Sequence, residues 1–205
     1  MAAQAQATGV SANQAIGMLG LLHRVGLASA REAAAALAGV ASGRVPGTPP
    51  PALARPPLLL AYATQTGAAE MFARDTRAQL QRAGVAMRLL PFDALSLDLL
   101  AEHAQALIIA STTYDGDAPD MAEAFEDECM RAPASLAHLR YGLLALGDRC
   151  YSDFCGFGRR LHAWLGASGA QAWFAPVEVD DEDAQALAEW HRQVVQLAER
   201  RRADG

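Results

Sequence analysis

The sequence contains no lysine. All 17 basic residues are arginine, set against 23 acids for a formal charge of −6. That is the wrong sign for a protein living on nucleic-acid phosphates, so no nucleic-acid partner is expected. Cysteine is scarce as well. Cys129, Cys150 and Cys155 show no C-x-x-C spacing, which argues against a disulfide framework or a zinc site, and they fall short of the four thiolates of an iron–sulfur cluster. The histidines lack paired spacing, so no metal site is expected. Long apolar runs are missing too. Ala15 to Leu22 ends at His23 and Arg24, far below the roughly 20 residues of a membrane span. The first 23 residues have none of the positive charge that opens a secretory signal, and a cytoplasmic protein with no membrane span is expected. With 20% charged and 52% hydrophobic residues, wholesale disorder and fibrous architectures are excluded.

What is present changes character near residue 56. Residues 1–56 carry a net charge of +3 and the remainder −9. The stretch Pro46-Gly47-Thr48-Pro49-Pro50-Pro51, continued by Pro56-Pro57, can sustain neither helix nor central strand. The expected organisation is a helical segment of unknown role over 1–44, a Pro-rich linker over 45–57 and a folded domain over 58–202. Ser11 and Ser29 stand as N-caps before the Ala/Leu-rich runs 12–24 and 30–40.

Beyond the linker, short apolar runs alternate with helical periodicity. Strands are expected at Leu58 to Tyr62, Val85 to Phe92, Ala106 to Ala110, Tyr141 to Leu146 and Ala170 to Val177. Helices are expected over 68–82, after the third strand through Met130, and over 155–168 and 183–200. Runs apolar on both faces belong to a parallel sheet covered by helices on each side, so the fold class is α/β with a five-stranded parallel sheet in three layers. Ligands of such sheets sit beyond the carboxyl ends of the strands.

Three loops fall there. Thr64-Gln65-Thr66-Gly67-Ala68-Ala69-Glu70 opens a helix, whose free amides and positive dipole end can hold a phosphate without Lys or Arg. It lacks the Walker G-K-[ST] ending and the G-x-G-x-x-G pattern; an ordinary N-cap is the alternative. Ser111-Thr112-Thr113-Tyr114-Asp115-Gly116-Asp117-Ala118-Pro119-Asp120 is polar and suited to a planar ring with a polyol tail. Leu146-Gly147-Asp148-Arg149-Cys150-Tyr151-Ser152-Asp153-Phe154-Cys155-Gly156 brings a second tyrosine to the same edge, and two tyrosines could sandwich one aromatic ligand. Residues 115–128 hold seven acids without one base, either a solvated helix face or a patch that steers a basic partner.

T-Q-T-G-x-A-E, S-T-x-x-D-G-D-x-P-D and L-G-D-x-x-Y-x-x-F-C, in that order, resemble the FMN-binding, flavodoxin-like domain of the diflavin reductases. The similarity is greatest to the flavoprotein subunit of sulfite reductase, through Tyr151 to Cys155 and Glu189 to Val195. The resemblance covers about residues 57 to 200 and implies a sheet order of 2-1-3-4-5. It implies that Thr64, Gln65, Thr66, Gly67 and Ala68 hold the FMN phosphate. Thr112, Thr113, Tyr114, Asp115 and Gly116 would border the ring; Leu146, Gly147, Asp148 and Cys150 would line its other edge, with Tyr151 stacking and Phe154 beside it. The second loop departs from the common form: either its first glycine is deleted or Tyr114 stands in that glycine's place. A turn beside the ring needs a conformation that glycine takes cheaply, and here Asp115 is expected to adopt it more easily than Tyr114.

The function implied is FMN-dependent electron transfer from an NADPH/FAD reductase module to an acceptor such as a sulfite reductase haemoprotein or another haem enzyme. Expected partners are therefore an NAD(P)H-dependent FAD reductase protein or domain and a haem-containing acceptor. The cofactor supplies the redox chemistry, and no side chain need act as acid or nucleophile. Too few residues follow the flavodoxin-like part for an FAD module, so electrons are expected from another polypeptide, or the chain is a piece of a longer one. The rival readings are a self-contained NAD(P)H-dependent FMN or quinone reductase, and a docking module without flavin.

Overall fold

The computed structural model describes residues 56–181 and 183–203; the expected N-terminal helices and the linker up to residue 55 lie outside the described residues. Strands β1 (Leu58–Ala63), β2 (Met87–Pro91), β3 (Gln105–Ser111), β4 (Arg140–Gly147), β5 (Gln171–Ala172) and β6 (Val177–Asp180) alternate with helices. The helices are α1 (Ala68–Arg82), α2 (Leu97–Glu102), α3 (Asp120–Cys129), α4 (Gly156–Ala167) and α5 (Ala184–Ala203). Every strand pair is parallel, in the order β2-β1-β3-β4-β5, with β6 also on β4. The register sets Leu60 beside Leu89 on one side and Leu107 on the other.

Strand periodicity divides the core in two. Leu59, Ala61 and Ile108 face one layer, with Phe92, Phe125, Phe157 and Trp164, while Leu58, Leu60, Leu107 and Ile109 face the other, with Leu80, Trp190 and Val194. In the first layer Phe125 meets Phe92 and Trp164 edge to face, at 5.2 and 5.7 Å. In the second, the fully buried Trp190 of α5 donates its Nε1 hydrogen to Thr76 Oγ1 of α1 at 2.9 Å. Such a ring satisfies its one polar atom while its area drives packing. Truncating it to alanine would cost about 3–5 kcal/mol.

The helices follow from local sequence. α1 buries Ala69, Phe72, Ala73, Thr76 and Leu80 along one stripe. It stops where Gly84 takes φ 75° and the Val85 amide returns to Leu80 O at 3.0 Å, a glycine-dependent C-terminal closure. The short α2 of the crossover into β3, absent from the sequence reading, is capped by Ser96 Oγ, which accepts from the Leu99 amide.

One expectation needs correction: the fifth strand is not continuous over Ala170 to Val177. β5 pairs with Arg140 and Tyr141, and β6 pairs with Leu144 to Gly147. Pro176 between them has no amide hydrogen for the ladder. The Phe174 side chain fills the space over Gly142, where a Cβ would lie 2.6 Å from its ring.

Candidate functional site

The carboxyl ends of β1, β3 and β4 open into a cavity of about 440 Å³, within the range of about 300–1,000 Å³ usual for small-molecule sites. Three loops build its walls. From the first come Gln65, Thr66 and Ala68, from the second Thr112, Thr113 and Tyr114, and from the third Leu146, Gly147, Asp148, Tyr151 and Phe154.

At the first loop, Gly67 takes φ 100° immediately before α1, and a Cβ built there would meet no atom within 4 Å. No side chain among the described residues caps the first turn of α1. Its leading amides are therefore left for an anion, with the helix dipole behind them. Thr64 is buried, and its Oγ1 accepts from the Gly67 amide at 2.9 Å, which shapes the bend. Gln65 spans to the next loop: its Nε2 donates to Asp120 Oδ2 and its Oε1 accepts from the Asp120 amide, both at 2.9 Å.

The second loop is a closed turn. Thr113 and Asp117 exchange backbone hydrogen bonds of 2.9 and 2.8 Å, and the Gly116 amide also reaches Thr113 O. Tyr114 is thus the first central residue and takes φ 43°. A positive φ at that position is normally left to glycine. This corrects the expectation that Asp115 would adopt the left-handed conformation: the hydrogen-bonded register assigns it to Tyr114. Asp115 is exposed and its Oδ1 accepts from Ser152 Oγ at 3.2 Å, tying the second loop to the third.

In the third loop, Gly147 is required by close approach, since a Cβ would come 2.7 Å from the Cys155 amide nitrogen. Cys150 is exposed and lies outside the cavity wall. Its thiol is pushed up by the hydrogen bond to Asp148 and by that carboxylate's charge. Cys155 instead lines the cavity; burial and then Glu178 push its thiol up to about 12. Tyr114 and Tyr151 are 73% and 47% exposed at the mouth, where their faces are open to stack on a planar ligand.

Of the residues marked from sequence, Thr64, Gly67, Asp115, Gly116 and Cys150 are outside the cavity wall, although the first four shape its loops. Met71, Phe72, Ser111, Asp153, Cys155 and Asp181 line it without having been marked. Phe72 and Met71 follow from the helical stripe one turn beyond Ala68. Asp181, with φ 53° and its amide bonded to Gly147 O, had no sequence signal beyond following a strand.

Three arginines near the mouth each pair with a carboxylate. Arg149 meets Asp180 at 3.3 Å, Arg159 grips Glu178 with two bonds of 2.7 Å, and Arg160 meets Glu126 at 2.7 Å. The pairing with Arg159 holds the Glu178 carboxyl below its ordinary range.

A ligand cleft at the switch point of a doubly wound parallel sheet, with two aromatic rings over a neutral anion cradle, defines a flavin-type α/β domain. The flavodoxin family pattern (Flavodoxin) matches residues 60–192, and the chain belongs to that family. Its sheet order is itself a standard instance of the switch-point rule. The chain is 32% identical over 140 residues to the sulfite reductase [NADPH] flavoprotein alpha-component of Aliivibrio fischeri, covering 67% of this chain and 23% of that protein. It is 38% identical over 128 residues to the methionine synthase reductase of Bos taurus, covering 60% and 18%. The chain thus spans less than a quarter of the length of these relatives. Among solved structures, a cysteine-to-serine mutant of flavodoxin from Pseudomonas aeruginosa superposes with a TM-score of 0.59 at 25% identity, covering 69% of this chain and 96% of that one.

FMN is the cofactor of this domain type, and the residues present fit it. Thr112 Oγ1 is buried without a hydrogen-bond partner and belongs to the cavity wall, so a polar ligand there would satisfy it.

Proposed function

We propose that the chain is an FMN electron-transfer domain, placed at residues 58–202, that receives electrons from an NAD(P)H-dependent FAD reductase protein or domain and passes them to a haem-containing acceptor. The setting proposed is cytoplasmic; among the described residues no helix is long and apolar enough to cross a membrane. The observation that carries the reading is the pair of exposed tyrosines, Tyr114 and Tyr151, on separate loops over one cavity at the strand ends. Rings so placed cover a planar group while leaving an edge open, as outer-sphere transfer requires.

In this reading the first-turn amides of α1 and Thr66 hold the phosphate, at the bend that Gly67 makes possible. Thr112 hydrogen-bonds the polar tail or ring edge, and Tyr114 and Tyr151 exclude water from the ring faces. FMN supplies the redox chemistry, and the side chains set its environment. Arg149, Arg159 and Arg160 each face a carboxylate, which supports a donor other than NADPH itself at this site. Asp117, Asp120, Glu123 and Asp127 form an acidic rim beside Tyr114, suited to a basic partner surface.

The test is flavin titration of the flavin-stripped chain, followed by stopped flow. FMN should bind at least about tenfold more tightly than riboflavin, because the phosphate contacts are charge-assisted. Equal affinities would remove the phosphate assignment. NADPH alone should not reduce the bound flavin; rapid direct reduction would establish a self-contained reductase instead.

A further inference from the structure

The third loop, α4 and α3 converge on the turn that carries Tyr114. Arg160, on the second turn of α4, donates from Nη1 to Gly116 O at 2.8 Å. The same guanidinium grips Glu126 of α3 through Nε at 2.7 Å and Nη2 at 3.2 Å, and Asp153 lies 3.9 Å from Nη1. The turn is also wedged sterically. A Cβ at Gly116 would fall 2.4 Å from Asp153 Oδ2, and one at Gly156 would fall 2.8 Å from Gly116 Cα.

We infer that Arg160 is a positioning residue of the flavin site: by holding the Gly116 carbonyl it fixes the turn Thr113 to Asp117, and with it the placement of Tyr114 over the bound ring. The argument is geometric. The peptide following Gly116 is held at its nitrogen end, where the Asp117 amide donates to Thr113 O at 2.8 Å, and Arg160 holds its carbonyl end. With that one amide bond alone, glycine at φ 109° still has the freedom to tilt the peptide. A planar donor clamped on Glu126 removes the freedom, because rotation would break a charge-assisted hydrogen bond and leave the guanidinium partly unpaired. Lysine could not serve equally: one ammonium offers a point charge without the fixed fork that meets a carbonyl and a carboxylate together.

The proposal rests on the FMN reading for its ligand but not for its mechanics, and the test separates the two. Arg160→Met, Arg160→Lys and Glu126→Gln are compared with the wild-type chain in three measurements: amide exchange of residues 114–117 without flavin, FMN affinity, and the midpoint potential of the bound flavin. Arg160→Met should accelerate exchange in the turn about tenfold or more and weaken FMN about tenfold, with a shifted potential. Arg160→Lys should fall between Arg160→Met and wild type. Glu126→Gln keeps the Gly116 contact and one oxygen to accept from Arg160 Nε, so it should lose less affinity than Arg160→Met. The inference is overturned if exchange in the turn is unchanged in Arg160→Met, if affinity and potential are both unchanged, or if Glu126→Gln reproduces the loss. Failure of the wild-type chain to bind FMN would overturn the flavin reading, while the exchange measurement still decides whether Arg160 holds the turn.

Discussion

Replacing Tyr114 by glycine should move stability and flavin affinity in opposite directions. Tyr114 is held at φ 43° and leaves 73% of its surface exposed. An L-residue in the left-handed region costs about 1–2 kcal/mol, which Tyr114→Gly removes. The glycine gives back about 0.4–1 kcal/mol through the greater freedom of its unfolded chain, and the exposed ring surrenders little packing. The net change without flavin is about 0 to 1.5 kcal/mol in favour of the variant. At about 2–4 °C per kcal/mol, its melting temperature should equal that of the parent or rise by up to about 6 °C. Losing one stacking face should meanwhile weaken FMN by about 1–3 kcal/mol, judged from base–aromatic stacking, or about 5- to 150-fold. Tyr114→Ala keeps the strained backbone without the ring and should lose the affinity without the stability gain; Tyr114→Phe should stay near the parent in both. Differential scanning calorimetry of the flavin-free proteins and fluorescence titration with FMN give the two numbers. A flavin-free Tyr114→Gly that melts clearly below the parent, or that binds FMN as tightly, would refute the assignment of this turn as strained in favour of ring contact.

Gly147→Ala should lower both thermal stability, by about 1–3 kcal/mol of overpacking, and FMN affinity, since its Cβ would meet the Cys155 backbone at 2.7 Å; thermal melts and flavin titration check this. Glu178 has a carboxyl depressed by Arg159, so its contribution is complete above the unfolded pKa and is lost as pH falls through the lower folded value. The melting-temperature gap between wild type and Glu178→Gln should therefore narrow from neutral pH toward about pH 3, and a gap that widens would contradict the pairing. Cys155, buried and pushed up to about 12, should resist alkylation in the folded protein while the exposed Cys150 is modified, as peptide mapping after limited maleimide treatment would show. Electron transfer to a basic acceptor should slow as salt rises, because screening at about 0.1 M shortens electrostatic reach to about 10 Å; rates indifferent to salt would detach the acidic rim from docking.

The strands at Leu58, Ala106 and Tyr141 were legible because buried parallel strands must be apolar on both faces, and these runs are too short for a helix. The loops after them were legible for a topological reason: once the alternation is read, the sites of chemistry follow from the chain's order. The break between β5 and β6 was not, because it depends on Phe174 finding room over Gly142, a contact between residues 32 apart in the sequence. Tyr114 shows a different limit. Residue tolerance pointed to Asp115 for the positive φ, but hydrogen-bonded position in the turn outranked tolerance. The acidic run 115–128 read as lacking any base; folding brings one from α4, when Arg160 reaches Glu126. Local sequence cannot show such partners.

The interrupted fifth strand also bears on how the molecule avoids its own copies. An open parallel sheet ends in two strands whose outer amides and carbonyls could recruit another chain. Here one border is broken into pieces of two and four residues with Pro176 between them, and the other, β2, ends in Pro91. Neither border offers a long uninterrupted ladder, and proline is tolerated at such margins because no inner neighbour needs its missing hydrogen. The feature that spoiled the reading of a single strand is thus also a safeguard: it denies other chains a long template for growth by strand addition.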